Sequence, residues 1–381
     1  MVSGDVPGAP DYASRFQLEN AAIIAAIRRK LEEIKPAVVL NFKTGKFGDL
    51  HFANRGLDLP VVASIRTDPR VVFTVSPEFP PERRQLFDEC MTSSAVITVL
   101  HDEFATFFEP TLRDKVCVTP IQVPRPRGSP ASPRSRQIVC VARISSEKNP
   151  ILLVEAFARL IPAHPDWVLK WVGGDYYGLG KEVRARIDAL GAREHIILAG
   201  ESSDVESHLK ASSIFAFPSS FEGWGNAATE AMAAGLPVVA LESCASLRFF
   251  IRSFKCGLLS APTREDFACK LETLMNHEDL RARMGEDARR IAEVFTSERT
   301  MAAWEAVLAR VSIGKPSRIL LFYEKFHGFL GGIERSMTNL ANGLVARGHT
   351  VELLLTQPRP AQAVAPPYPL DPSVRIHHLH S

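Results

Sequence analysis

Short apolar runs alternate with stretches of helical period along most of the chain. That is the pattern of parallel strands, buried on both faces, joined by crossover helices. Residues 21–34 place Ile23, Ile24, Ile27, Leu31 and Ile34 at helical spacing, and Pro36 ends that helix. Buried strands are predicted at 37–41, 61–65 and 95–100, with a helix at 81–91. Runs at 116–119 and 121–123 close this first series. A second series follows, with strands at 137–142, 168–172, 196–199, 214–217 and 236–241. Helices are predicted at 151–160, 227–234, 264–275, 280–294 and 297–311, while 205–209 and 211–213 lead into the strand at 214–217. The two series imply two α/β domains with right-handed crossovers.

The richest stretch is 217–240. Its apolar run ends at Phe217, and Pro218 to Glu222 reads as a turn. The small residues from Ala227 to Ala234 form helix readily. Gly235 suits a left-handed C-terminal position, and Pro237 prevents continuation. Gly223 and Gly225 let backbone approach a ligand closely. The free N–H groups opening the next helix, around Asn226 and Ala227, make a site for an anion or an oxygen-rich ligand. Glu222 and Glu230 are carboxylates that bracket that helix start, at the strand end where open α/β sheets bind ligands. Ordinary capping explains an acid such as Glu222, but not the two glycines and the small helix face.

Further candidates lie at other strand ends. Arg143 and Lys148 are five positions apart across a strand-to-helix loop, and two cations before a helix N-terminus suit a diphosphate. A surface Glu147–Lys148 pair is the alternative, and it leaves Arg143 unexplained. Gly173 and Gly174 form a Gly-Gly-Asp turn after strand 168–172. Arg66 and Asp68 follow strand 61–65 and are acceptor-side candidates, against a plain turn held by Asp68 and Pro69. His101 follows strand 95–100; a lone loop histidine is ordinarily solvent-exposed.

Composition narrows the class. The chain has 381 residues, enough for two such domains, with 46% apolar and 23% charged residues. A formal net charge of +2 gives no case for nucleic acid as a partner. The six cysteines are scattered without a Cys-x-x-Cys pair, which reads as free thiols in a reducing compartment rather than a zinc site. No signal peptide and no membrane-spanning run are expected. Arg28, Arg29 and Lys30 read as a solvated helix face, with anionic lipid as the other option. Arg125 to Arg136, rich in Pro, Ser and Arg, reads as an interdomain linker.

The stretch Glu222 to Glu230, with the following Ala-Met-Ala-Ala-Gly-Leu-Pro-Val-Val, resembles the Glu-x7-Glu motif of retaining glycosyltransferases of family 4. The resemblance implies the GT-B fold, an α/β architecture of two Rossmann-like domains with parallel sheets facing across a cleft. It places Glu222 at the donor sugar and Glu230 on the ribose hydroxyls of the nucleotide. Arg143 and Lys148 take the donor diphosphate, and Gly173 and Gly174 form the family's glycine-rich turn. His101 is similar to a family histidine that reaches toward the donor sugar. No metal or other cofactor is implied; the donor is a nucleotide-diphosphate sugar, with UDP favoured over GDP. The acceptor is a glycan or lipid-linked molecule. The setting is cytoplasmic, with peripheral contact at the inner face of the membrane as a further option. A nucleotide-sugar epimerase and a catalytically silent sugar-nucleotide scaffold are the competing readings.

The tail departs from the family order. A strand at 318–322, a glycine-rich loop through Gly331 and Gly332 to Glu334 and Arg335, a helix at 336–347 and strands at 351–356 and 374–379 resemble the start of a family-4 N-terminal domain. In the family that loop contacts the donor phosphate side or the acceptor. The front of the chain lacks this piece, so the chain reads as a circular permutant or as a window on two tandem enzymes. The domains expected are a disordered tail at 1–15 and the main part of an N-terminal, acceptor-side domain at 16–125. A linker at 126–136 and a nucleotide-sugar-binding domain at 137–296 follow. A return helix spans 297–314, and 317–381 should dock on 16–125, because four such elements are unstable alone.

Overall fold

The structure is a computed structural model that describes residues 11–43, 47–72, 81–311, 316–324, 326, 331–358, 366 and 368–379. The strands, in chain order, are β1 (Val38–Asn41), β2 (Val61–Ser64), β3 (Val96–Val99), β4 (Val116–Val118), β5 (Gln137–Val141), β6 (Val168–Val172) and β7 (Ile196–Gly200). They continue with β8 (Ile214–Phe217), β9 (Val238–Leu241), β10 (Gly257–Ser260), β11 (Arg318–Tyr323), β12 (Thr350–Leu355) and β13 (Arg375–His378). They form two sheets, ordered β13-β12-β11-β1-β2-β3-β4 and β10-β9-β8-β5-β6-β7. Every pairing in both is parallel. The all-apolar runs follow from this: β1, β3, β8 and β9 are buried at every position because helices cover both faces.

The chain divides into two units. Unit 1 holds residues 1–121 and 300–381, and unit 2 holds 122–299. In unit 1, β11 lies against β1 with Leu40 opposite Leu321 and Asn41 opposite Phe322. One core therefore joins segments from the two ends of the chain. Val38, Leu40, Phe42, Val62 and Val96 pack in the same cluster as Trp304, Ile319, Leu321, Met337, Leu340 and Leu353. The 126–136 segment falls within unit 2, pinned by Arg281, which donates two hydrogen bonds to the Pro133 carbonyl at 2.9 and 2.7 Å. Among the described residues no helix is long and apolar enough to cross a membrane.

Several elements differ from expectation. Residues 12–15 open a helix, Tyr12–Glu19, because Asp11 accepts from the Ser14 N–H at 2.8 Å and caps it. Residues 1–10 of the expected tail lie outside the described residues. Ile121 and Val123 are buried, but the run 121–123 is not a strand. Pro120 and Pro124 flank it and cannot donate to a ladder. Helix 280–294 is two helices, Glu278–Arg289 and Ile291–Val294. The tail helix begins at Gly332 rather than at 336 and ends at Val345. The helices Phe47–Asn54, Gly180–Ala189 and Ala245–Phe254, and strand β10, have no counterpart in the sequence reading.

Candidate functional site

Unit 2 offers a topological reason for a site. Its chain starts at β5, steps to β6 and β7 on one side, then returns to β8 on the other. The sheet order reverses between β5 and β8, and open α/β sheets bind ligands at the carboxyl ends of such a pair. The two loops leaving those ends carry Arg143 to Lys148 and Pro218 to Gly225.

Those loops are stitched together. Lys148 Nζ pairs with Glu222 Oε1, with the two side chains 12% and 14% exposed. Ser219, wholly buried, donates its hydroxyl to the same Glu222 oxygen at 2.7 Å. Asn149, in a left-handed conformation (φ 46°), donates to the Pro218 carbonyl at 2.9 Å and to Ser220 Oγ at 2.8 Å. The Ser220 N–H reaches the Glu147 carbonyl at 2.9 Å. Lys148 thus pairs with Glu222 rather than with its neighbour Glu147, which instead faces Arg143 at 3.7 Å. The second guanidinium arm of Arg143 donates to Tyr177 Oη at 2.9 Å.

The glycines hold the loops close. Gly225 caps the helix Asn226–Ala233 at φ 79°, a conformation costly for any residue with a Cβ. Ser246 donates to the carbonyls of Glu222 and Gly223 at 2.9 and 2.8 Å, and Trp224 is anchored between Phe250 and Phe295. Asn226 and Ala227 open the helix with no side-chain cap, and Glu230 stands half-buried in its second turn. Gly173 lies so near the end of β5 that a Cβ there would sit 1.9 Å from the Ala142 carbonyl oxygen. Gly174 makes room for Glu201, whose Oε1 would lie 2.5 Å from a Cβ, and its carbonyl accepts from the Ile144 N–H at 2.8 Å. Unit 2 therefore gathers Glu222, Glu230, Arg143, Lys148, Gly173, Gly174, Gly223, Gly225, Asn226 and Ala227 around the ends of β5, β6 and β8.

The remaining candidates belong to unit 1. Arg66 is 6% exposed and donates to Thr119 and Ser336. Asp68 holds the turn: it accepts from the Arg70 N–H at 3.0 Å and from the Arg70 guanidinium at 3.1 Å. His101 is buried, not exposed, with its ring 3.8 Å centroid to centroid from Phe104, because it opens the helix Asp102–Ala105 over an apolar seat. Gly331 and Gly332 also lie in unit 1, at the start of the helix Gly332–Val345; Gly331 has φ −103°, which any residue adopts. Residues 328–330 of that loop lie outside the described residues.

Sequence reasoning assigned no task to Ser219, Asn149, Ser246, Thr119 or Ser336. A polar residue beside the Glu222 loop was a visible signal for Ser219. Nothing local marks Thr119 or Ser336, which meet Arg66 across 53 and 270 residues.

Residues 126–291 match the family model "Glycosyl transferases group 1". A glycosyltransferase of Haemophilus influenzae, described as uncharacterized, is 27% identical over 187 residues, 48% of this chain and 52% of the relative. The lipopolysaccharide core biosynthesis mannosyltransferase LpsB of Rhizobium meliloti is 30% identical over 113 residues, 29% of this chain and 32% of the relative. The chain thus spans about half, or less, of the length of these curated relatives. Among solved structures, a point mutant of S. aureus TarM in complex with Fondaparinux, alpha-GlcNAc-glycerol and UDP superposes with TM-score 0.64 at 18% identity, covering 74% of this chain and 58% of TarM. That likeness shows the fold. Residues 126–291 are thus similar to the glycosyl transferases group 1 family, and the fold is of the GT-B type, two parallel-sheet α/β domains.

Proposed function

We propose that this chain is a retaining glycosyltransferase of the family-4 type. It moves a sugar from a nucleotide-diphosphate donor to a glycan or lipid-linked acceptor. The observation that carries the reading is the Lys148–Glu222 contact, which joins the two loops of the β5/β8 switch point into one site beside an uncapped helix start. In this reading Lys148 and Arg143 meet the diphosphate, and Glu230 holds the ribose. Glu222 and the N–H groups at Gly225 and Asn226 take the sugar hydroxyls. The two cations also stabilise the leaving nucleotide as its bond to the sugar breaks, so positioning and electrostatics supply the rate.

Relatives support the substrate class. LpsB is described as a mannosyltransferase, and TarM was solved with UDP. UDP remains the nucleotide favoured by the family resemblance. Retention rests on the likeness of residues 222–230 to the family motif. Unit 1 is the acceptor side, and the pairing of β11 with β1 supports reading the chain order as a circular permutation. Work at the cytoplasmic face of a membrane follows from a lipid-linked acceptor.

A thermal-shift screen of UDP-, GDP- and other nucleotide sugars identifies the donor, since binding to the native state raises stability by mass action. Glu222→Ala should abolish transfer while nucleotide binding persists. Unchanged turnover in that variant would refute the site.

A further inference from the structure

Arg66 is a buried cation whose hydrogen-bond partners among the described residues are all neutral. It follows β2, at the strand end where parallel sheets take ligands. Nη1 donates to the Thr119 carbonyl at 3.2 Å and to Thr119 Oγ1 at 3.1 Å, and Nη2 to Ser336 Oγ at 2.9 Å. The rings of Phe42 and Trp304 flank the guanidinium, with centroids 5.6 and 5.8 Å from Cζ. Nε has no partner among the described residues. Burial pushes the group down to about 9.

The other buried cations show how unusual this is. Lys43 is paired with Asp49 at 2.5 Å. Arg281 satisfies every nitrogen on backbone carbonyls. Asp68, two residues on from Arg66, pairs with Arg70, and Glu334, two residues before Ser336, accepts from Tyr323 at 3.2 Å. The helix Gly332–Val345, which carries Ser336, begins without a side-chain cap and adds its positive end to the same region. Stripping water from a cation with no counter-ion costs several kcal/mol. A structural arginine would be expected to use its Nε, as Arg281 does.

We propose that Arg66 receives an oxyanion of the acceptor, a phosphate or a carboxylate, so that the acceptor is an anionic glycan or a phosphate-bearing lipid-linked molecule. This rests on the reading of unit 1 as the acceptor side. Guanidinium meets such groups through paired N–H bonds, and Nε–H is one donor held ready for that.

The test uses the full chain and measures thermal shift and calorimetric binding. Inorganic phosphate is the first probe, and glucuronate against glucose the second. Phosphate also fits the Lys148–Arg143 site, so the comparison is made in an Arg143→Met/Lys148→Met background. There, phosphate should still stabilise the protein, and adding Arg66→Met should weaken it about ten- to a hundredfold. Glucuronate binding should require Arg66, and glucose should not distinguish the variants. Arg66→Lys, which keeps the charge but loses the fork, should fall between, and it serves if Arg66→Met does not fold. Phosphate binding that is absent from the double variant, or indifferent to Arg66, overturns the proposal. So does loss of UDP binding in Arg66→Met, which would assign the anion to the donor. A wild type that binds no nucleotide overturns the donor reading instead, and leaves the phosphate arm to decide Arg66.

Discussion

In Glu222→Gln the binding of a bare nucleoside diphosphate should become tighter, although transfer is lost. In the structure Glu222 occupies Lys148, and both side chains are largely shielded from water. Two unit charges about 4 Å apart at an effective dielectric near 20 attract by about 4 kcal/mol before desolvation is counted. Most of that is offset by the solvation both groups give up, and glutamine still accepts from Ser219 and Lys148. A net release of about 1–2 kcal/mol is therefore expected, or a Kd about five- to thirtyfold lower for UDP. Isothermal calorimetry on wild type, Glu222→Gln and Lys148→Met measures it directly, with Lys148→Met expected to bind UDP more weakly. A double-mutant cycle then isolates the pair from each residue's own contribution. If folded Glu222→Gln binds UDP no better than wild type, Glu222 does not hold Lys148 back from the phosphate, and the reasoning fails.

Other expectations follow from single contacts. Gly173→Ala drives a methyl into the Ala142 carbonyl at a φ of 150°, so it should lower the melting temperature and remove nucleotide binding; a variant with wild-type stability would show that the turn relaxes freely. Leu321→Ala, at a fully buried position of β11, should cost about 3 to 5 kcal/mol in urea unfolding. A loss within about 0.5 kcal/mol, the usual range for exposed positions, or fast amide exchange across 319–322, would mean that β11 is not seated in the sheet. Thiol labelling at pH 8 should strike exposed Cys269 first and half-buried Cys117 next. Cys90 and Cys256, pushed up to about 12 by burial, and Cys140, raised well above the ordinary thiol value by the same cause, should react only on unfolding. Rapid labelling of more than two thiols would contradict that burial.

Much of this molecule is written locally. The strands β6 and β8 and the helix Ala21–Ile34 fall at the predicted residues because period, apolar runs and proline stops act over a few positions. Gly225 is in the left-handed region, and Asn226 opens its helix, for the same local reason. The group 1 match over 126–291 agrees with the motif at 222–230. Helices such as Gly180–Ala189, with a mixed pattern and no strong cap, were not legible because tertiary packing rather than propensity stabilises them.

The partners of charged groups were decided only in three dimensions. Lys148 lies next to Glu147 in the chain yet pairs with Glu222, because β5 and β8 are neighbours in the sheet. β11 joins β1 although some 280 residues separate them, and the register of that ladder puts Leu321 in the core. His101, a donor-sugar candidate weighed against an ordinary solvent-exposed loop histidine, is buried. Arg66 was visible as a polar residue after a strand, but the neutrality of its partners among the described residues was not. Desolvation depends on everything that closes around a group, and for Arg66 that includes a serine 270 residues away. Backbone preference is a property of neighbours in sequence; the electrostatic state of a buried charge belongs to its neighbours in space.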